Sequence, residues 1–178
     1  MHFIEKFHRK TLKYDLVNKF AYKNTKELPS IKKITLNFGC KNNDIKSIAT
    51  SLLAFELISG QKSTMTLTKH SNILLKIRKG NPTGCRVILK KKRMLNFFSK
   101  FLTEIFPKLK NFEGLKLNKK IKKNAFSYNL RDTFNFQELE EHYYLFNFLP
   151  PCNITIVTNT KTKKELTFIL NSFKFPLK

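Results

Sequence analysis

The chain has few of the residues from which enzyme sites and disulfide-stabilised folds are usually built. Its 178 residues include no tryptophan, four histidines, three cysteines, five glycines and only 12 acidic side chains. Cys40, Cys85 and Cys152 are odd in number and widely separated, which fits neither a disulfide framework nor zinc-ligand spacing. We predict that they are small buried hydrophobic side chains in a reducing compartment.

Catalytic and metal-binding patterns are also missing. None of the histidines at positions 2, 8, 70 and 142 has a second His or Cys at metal-ligand spacing, and no Gly-rich phosphate loop follows a predicted strand. His142 follows Glu141 directly, and adjacent residues on a helix do not share a face. We therefore predict that the protein is not an enzyme and has no catalytic residue, no bound metal and no cofactor.

Long hydrophobic runs are absent as well, because lysines interrupt every apolar stretch well before the roughly 18 residues that a membrane span needs. We expect no membrane insertion. Positive charge is abundant instead: 35 Lys or Arg against 12 Asp or Glu give 35 − 12 = +23. Residues 60–124 hold 18 of these cations and two acids, or 18 − 2 = +16. With 41% apolar residues and 18 Phe the chain still has enough for a folded core, so the excess charge indicates a polyanionic partner.

The hydrophobic periodicity predicts an α+β fold. Helical spacing marks the segment around residues 12–20, residues 45–58, a helix from Met94 that Pro107 ends or kinks, and a last helix with the capping pair Thr162 and Glu165. Alternation predicts strands near residues 31–38, 64–68, 85–89, 126–131 and 153–158. No linker or repeat divides the chain. We therefore predict a single domain over residues 1–178, with a largely antiparallel sheet, helices on one face, an RNA-binding opposite face and a protruding basic loop at 69–84.

Three elements place cations beside hydrogen-bonding side chains. In the first strand, Lys33, Thr35 and Asn37 form a polar face. The loop at residues 69–84 carries Lys69, His70, Lys76, Arg78 and Lys79, and long basic loops in compact domains are usually functional. Four cations, Lys90 to Arg93, stand just before a helix, where acids are normally preferred, and a phosphate bound there would reverse that penalty. A solvated charge run is the alternative for this last segment.

Ordered motifs join these elements: SIKKITLNFG, LISGQK, KIRKGNPTGCRVIL, MLNFFSKFL with FPKLKNFEGL, and ITIVTNTKT with SFKFPLK. In this order and spacing the chain resembles ribosomal protein five, the universal 5S-rRNA-binding family of the large ribosomal subunit, in its bacterial and organellar form. The similarity runs from about Tyr14 to the end. The resemblance implies a structural constituent that binds 5S rRNA in the central protuberance, while a loop reaches peptidyl-site tRNA and another surface contacts the small-subunit head.

The resemblance also assigns residues. The family's RNA-contacting asparagine falls on Asn37 and the glutamine of its SGQK motif on Gln61, while the tRNA-facing loop falls on residues 69–84. The predicted rRNA-binding residues are Lys33, Thr35, Asn37, Gln61, Lys62, Arg86, Lys90, Lys91, Lys92 and Arg93. The predicted tRNA-facing residues are Lys69, His70, Lys76, Arg78, Lys79 and Asn81.

Partners and compartment follow from the same resemblance. The implied partners are 5S rRNA or its replacement, large-subunit rRNA, peptidyl-site tRNA, neighbouring proteins of the central protuberance and a small-subunit head protein. The abundance of Lys, Asn, Ile and Phe is typical of an AT-rich coding sequence, and the family-like region begins too near Met1 for a presequence. We therefore expect a protein encoded and translated inside a mitochondrion, with a plastid or an AT-rich bacterium as alternatives. Competing functions are a free RNA chaperone or maturation factor and, more remotely, an RNA-processing enzyme.

Overall fold

Five strands form one antiparallel sheet in the computed structural model, which describes residues 2–40, 45–74, 77–109, 114 and 122–177. Their order in the sheet is β2-β3-β1-β5-β4. The strands are β1 Ile31–Gly39, β2 Thr64–Leu67, β3 Pro82–Leu89, β4 Ala125–Leu130 and β5 Cys152–Thr158. Every predicted strand is present, and the α+β prediction is confirmed. One boundary was wrong: β3 begins at Pro82, so residues 82–84 belong to the strand rather than to the basic loop, because Leu67 pairs with Pro82.

Helices account for most of the remaining described chain. They are α1 Phe3–Phe7, α2 Lys13–Lys19, α3 Ile45–Ser59, α4 Lys91–Lys100, α5 Phe106–Lys108, α6 Gln137–Glu140, α7 Tyr143–Phe146 and α8 Lys163–Ser172. A π-helical turn at His8–Leu12 joins α1 to α2, and a second at Phe101–Ile105 joins α4 to α5. Short 3₁₀ turns lie at Thr25–Glu27 and Thr133–Asn135.

Two predicted helix boundaries were also wrong. The first helix was placed around residues 12–20, yet helical structure begins at Phe3, where the ring of His2 accepts a hydrogen bond from the backbone N–H of Ile4. The helix predicted from Met94 starts at Lys91. Pro107 does not stop it, since α5 continues to Lys108. The wider π turn directly before Pro107 accommodates a residue that lacks a backbone N–H and crowds the preceding turn.

The chain forms two compact units. The first comprises Met1–Ile34, Lys90–Tyr128 and Thr155–Lys178. Its core is aromatic: the ring of Phe175 lies 4.9 Å from that of Phe106 and 5.2 Å from that of Phe126, both at nearly right angles. Beside these rings, Leu12, Leu16 and Ile169 are fully buried. The π turns and α4 are therefore held by apolar packing rather than by local helix propensity.

The second unit comprises Thr35–Leu89 and Asn129–Ile154. Its core contains the stacked rings of Phe38 in β1 and Phe55 in α3, with centroids 4.1 Å apart. Helix α3 packs on β3 and also contacts α6 and α7. The single domain predicted over residues 1–178 stays a prediction.

Candidate nucleic-acid interface

Strand β1 has one buried face and one polar face, as its alternation predicts. Ile34, Leu36 and Phe38 are fully buried, whereas Lys33, Thr35 and Asn37 are half-buried on the other side. Lys33 belongs to the first unit, and Thr35 and Asn37 belong to the second. The polar side presents an ammonium, a hydroxyl and an amide, which are groups that contact phosphates, ribose hydroxyls and base edges.

In the second unit this polar face extends over three neighbouring strands. The backbone N–H of Cys40 donates to the carbonyl of Thr83, and counting back along both antiparallel strands places Asn37 opposite Arg86. Arg86 in turn pairs with Thr64 of β2. Residues directly opposite in antiparallel strands share a face, so Asn37, Arg86 and Thr64 form a row across the sheet, here called the polar row. The Thr64 hydroxyl donates to the Arg86 carbonyl over 2.8 Å, and the Arg86 side chain stays exposed.

The close approach of β1 and β3 beside the polar row depends on glycine. A Cβ placed on Gly84 would run into the carbonyl oxygen of Phe38 and would also come within 3.4 Å of the Cα of Gly39. No larger residue fits without moving a strand. The sequence shows Gly84 as a turn signal, and only the strand pairing reveals its role.

Gln61 lies next to the same sheet edge but is partly engaged within the protein. Its side-chain Nε2 donates to the carbonyl of Ile88 over 3.3 Å, and its backbone N–H donates to the Ser59 hydroxyl over 3.2 Å. Gly60 makes this turn possible with a φ of 58°, in the left-handed region. The predicted contact residue therefore also joins the end of α3 to β3. Lys62, the next predicted residue, is exposed.

The cationic run surrounds the start of α4 in the first unit. Lys90, Lys91, Lys92 and Arg93 are all exposed, and Lys90 caps the helix without a side-chain hydrogen bond. Three of the four cations thus lie inside the first turn rather than before it. Lys91 has a φ of 51°, a left-handed conformation that is uncommon for a residue with a side chain. A helix start with these features favours an anion over a second cation.

The basic loop closes as a hairpin between β2 and β3. The backbones of Asn72 and Ile77 exchange two hydrogen bonds, and the Thr68 hydroxyl donates to the Arg78 carbonyl over 2.7 Å. Of the predicted tRNA-facing residues, Lys69, His70, Arg78 and Lys79 are exposed and Asn81 is half-buried, while Lys76 lies outside the described residues.

Sequence reasoning missed the apolar part of this loop. Ile73 is 92% exposed and Leu74 94% exposed, so two branched hydrophobic side chains stand among the cations. Their signal was present in the sequence as an apolar run inside a basic loop. Side chains of this kind in water favour a surface that covers them.

Thiol chemistry is suppressed beneath the sheet of the second unit. Burial raises the pKa of the Cys85 thiol to about 12, with a smaller contribution from Cys40 nearby. Burial likewise raises the pKa of Cys152 far above its ordinary value. Both thiols stay protonated at neutral pH and are inert, in agreement with their prediction as buried hydrophobes. Cys40 is half-buried, with its Sγ 3.7 Å from the Ser51 hydroxyl.

Comparison with known proteins decides the family. The family model for the C-terminal part of the ribosomal uL5 proteins matches residues 82–177. The chain is 38% identical over 179 residues to "Large ribosomal subunit protein uL5m" of Reclinomonas americana, covering 99% of this chain and 98% of the relative. The chain belongs to the ribosomal uL5 family. It is also 33% identical to "Large ribosomal subunit protein uL5" of Blochmanniella floridana, over 97% of this chain and 90% of the relative.

Family membership confirms the resemblance and the functional class. Proteins of the uL5 family are structural, non-enzymatic components of the ribosome, so the prediction that this chain is not an enzyme is confirmed. Within the part of the chain that the structure describes, no three His, Cys, Asp or Glu side chains gather closely enough to hold a metal ion. Among the same residues, no helix has the length and apolar character to cross a membrane.

Proposed function

We propose that this member of the uL5 family holds 5S rRNA, or the RNA that replaces it, in the central protuberance of the large ribosomal subunit. The polar row of the second unit carries the proposal, because it presents an amide, a guanidinium and a hydroxyl side by side. Thr35 and Gln61 adjoin the row along the chain and at the sheet edge, and we assign Lys33, Lys62 and the run Lys90 to Arg93 to phosphate neutralisation. Neutralised phosphates supply most of the affinity, and the uncharged groups supply the discrimination.

Further contacts belong to the same proposal. The hairpin loop with Lys69, His70, Arg78, Lys79 and Asn81 reaches the peptidyl-site tRNA, and Lys76 is assigned to it from the sequence. Other surfaces meet large-subunit rRNA, neighbouring proteins of the central protuberance and the small-subunit head. The whole chain acts as one domain in these contacts.

We infer a mitochondrial ribosome as the place of action. The lysine-rich, asparagine-rich composition supports an AT-rich organellar genome, and a relative named uL5m covers nearly the whole chain. A plastid and an AT-rich bacterium are the competing sources. Mapping the gene to a genome and fractionating the cells distinguish the three, and recovery of the protein in plastid or bacterial ribosomes would overturn this placement.

Co-sedimentation tests the proposal as a whole. The protein should migrate with large subunits at moderate salt in a one-to-one ratio, and sequencing of crosslinked RNA should recover 5S rRNA or its substitute. A free RNA chaperone or maturation factor would stay substoichiometric or remain at the top of the gradient, and either result would refute the proposal.

Replacing Asn37 with alanine should weaken binding of the cognate RNA about tenfold, because one buried-edge hydrogen bond to the RNA is lost. The salt dependence of binding should not change, since no charge is removed. Filter binding against 5S rRNA and an unrelated RNA of equal length measures both quantities.

Asn18→Ala is the matched control, because Asn18 is an exposed asparagine on helix α2. It should leave both affinities unchanged. Equal weakening by Asn37→Ala for cognate and unrelated RNA would contradict a role in discrimination.

Replacing Arg78 with alanine should spare subunit assembly and reduce peptidyl-site tRNA occupancy severalfold, because the exposed loop loses a phosphate-binding cation. Sucrose-gradient profiles and tRNA filter binding on purified ribosomes separate the two readouts. Arg131→Ala removes an exposed arginine after β4 and serves as the control. Failure of assembly in the Arg78 variant would refute the division between loop and sheet.

A further inference from the structure

A cavity of about 420 Å³ lies in the first unit, between the π turn that follows α1 and the start of α4. Its volume falls in the range of pockets that take small ligands, roughly 300–1,000 Å³. The cavity is separate from the polar row, which belongs to the second unit. Residues of the N-terminal helical segment line one side of it, and two lysines of the cationic run line the other.

Four permanent cations contribute to the lining: Arg9 and Lys13 from the π turn and α2, and Lys91 and Lys92 from α4. Glu5 is the one carboxylate in the lining, and it accepts a hydrogen bond from Arg9 over 2.8 Å. The net charge of the lining is therefore 4 − 1 = +3 with histidine neutral. Cations gathered around a concave surface raise the local concentration of anions.

The rest of the lining is apolar. Ile4 and Met94 are buried, and Leu95 and Phe173 are half-buried at the cavity surface. An inorganic anion would satisfy the cations and leave this apolar surface uncovered. A nucleotide matches both parts, because its base is a flat, largely apolar ring and its phosphates carry the charge.

The π turn gives this wall its geometry. Arg9 and Lys13 lie four residues apart, and residues at this spacing are neighbours on a helix surface. Within the turn, the His8 ring nitrogen Nε2 donates to the carbonyl of Pro29 over 2.9 Å, which ties the turn to the segment before β1. Single π turns occur frequently at functional sites, because the extra residue redirects side chains.

We infer that this cavity binds a single unpaired nucleotide of ribosomal RNA, with the base against Met94, Leu95 and Phe173. Arg9, Lys13, Lys91 and Lys92 hold the phosphates on either side. The inference rests on the proposed function and extends the RNA surface to the N-terminal helical segment. Unpaired bases that leave their stack are the usual targets of protein recognition in folded RNA.

Methionine methyl groups provide the test. The chain has three methionines, and Met94 lines the cavity while Met65 lies on β2 in the second unit. The full-length protein carrying ¹³C-methyl methionine is titrated with the dinucleotide pApA, and a Met65→Leu variant assigns the signals. The Met94 methyl signal should shift saturably, and the Met65 signal should not move.

Two variants separate charge from shape. Arg9→Gln with Lys13→Gln should weaken pApA binding about tenfold, since two charge-assisted phosphate contacts are lost. Lys6→Gln with Lys10→Gln is the control, because both lysines are exposed on the same helical segment and do not line the cavity. Leu95→Trp fills the apolar part and should abolish the Met94 shift without removing a cation.

Several results would overturn the inference. A Met94 signal that ignores pApA, equal weakening by the two glutamine pairs, or an unchanged shift in the Leu95→Trp variant would each do so. Inorganic phosphate that shifts Met94 at the same concentration would indicate an anion site, and a tetraglutamate peptide that does so would indicate an acidic protein partner. If Met94 fails to respond while the protein still co-sediments with large subunits, this inference falls and the proposed function stands. Loss of co-sedimentation removes the proposed function itself.

Discussion

Replacing Gly84 with alanine is expected to lower the free energy of unfolding by about 3 kcal/mol. The added methyl group would collide with the carbonyl oxygen of Phe38, and backbone atoms of a paired strand cannot move aside as a flexible side chain can. Strands β1 and β3 would separate beside the polar row. Urea denaturation followed by circular dichroism measures the change.

Gly39 supplies the matched control on the opposite strand. A Cβ on Gly39 meets no atom within 4 Å. Gly39→Ala should therefore be neutral or slightly stabilising, because alanine restricts the unfolded chain. RNA affinity should fall in the Gly84 variant and persist in the Gly39 variant. Equal unfolding free energies for the two variants would contradict the close approach of the strands.

Replacing Lys91 and Arg93 together with alanine is expected to weaken rRNA binding by roughly one to two orders of magnitude. Each lost phosphate contact should reduce the slope of log affinity against log salt by about 0.7 to 0.9. Titrations of 5S rRNA at four salt concentrations give both values.

Helix α8 offers an equivalent pair for comparison. Lys163 and Lys164 are exposed in the first turn of a ten-residue helix, as Lys91 and Arg93 are in α4. Lys163→Ala with Lys164→Ala removes the same charge from the same position in a helix. If both pairs lower the salt slope equally, the run at α4 contributes only through the overall charge of the protein.

Local chemistry made much of the fold predictable. The alternation in β1 depends on side chains two residues apart, and the structure buries Ile34, Leu36 and Phe38 accordingly. The capping pair of α8 was equally local, since the Thr162 hydroxyl accepts a hydrogen bond from the Glu165 backbone N–H. Both features require only neighbouring residues, so the sequence contains what determines them.

Features that depend on distant packing were missed. Helical structure from Phe3 to Phe7 is only five residues long, too short to form without the partner helix α4, which it contacts in the fold. Strand register likewise decides that Asn37 stands opposite Arg86. Gly84 has its role only because β1 passes close by. The sequence identified individual polar residues, and long-range pairing arranged them into a row.

The exposed pair Ile73 and Leu74 gives the loop a property that its cations do not have. Attraction between apolar surfaces is not screened by ions, so a contact made by these side chains would persist at salt concentrations that release the lysines and arginines. Burying them would also decrease the heat capacity on binding. The temperature dependence of the binding enthalpy would therefore isolate the contribution of the loop tip from that of the surrounding charge.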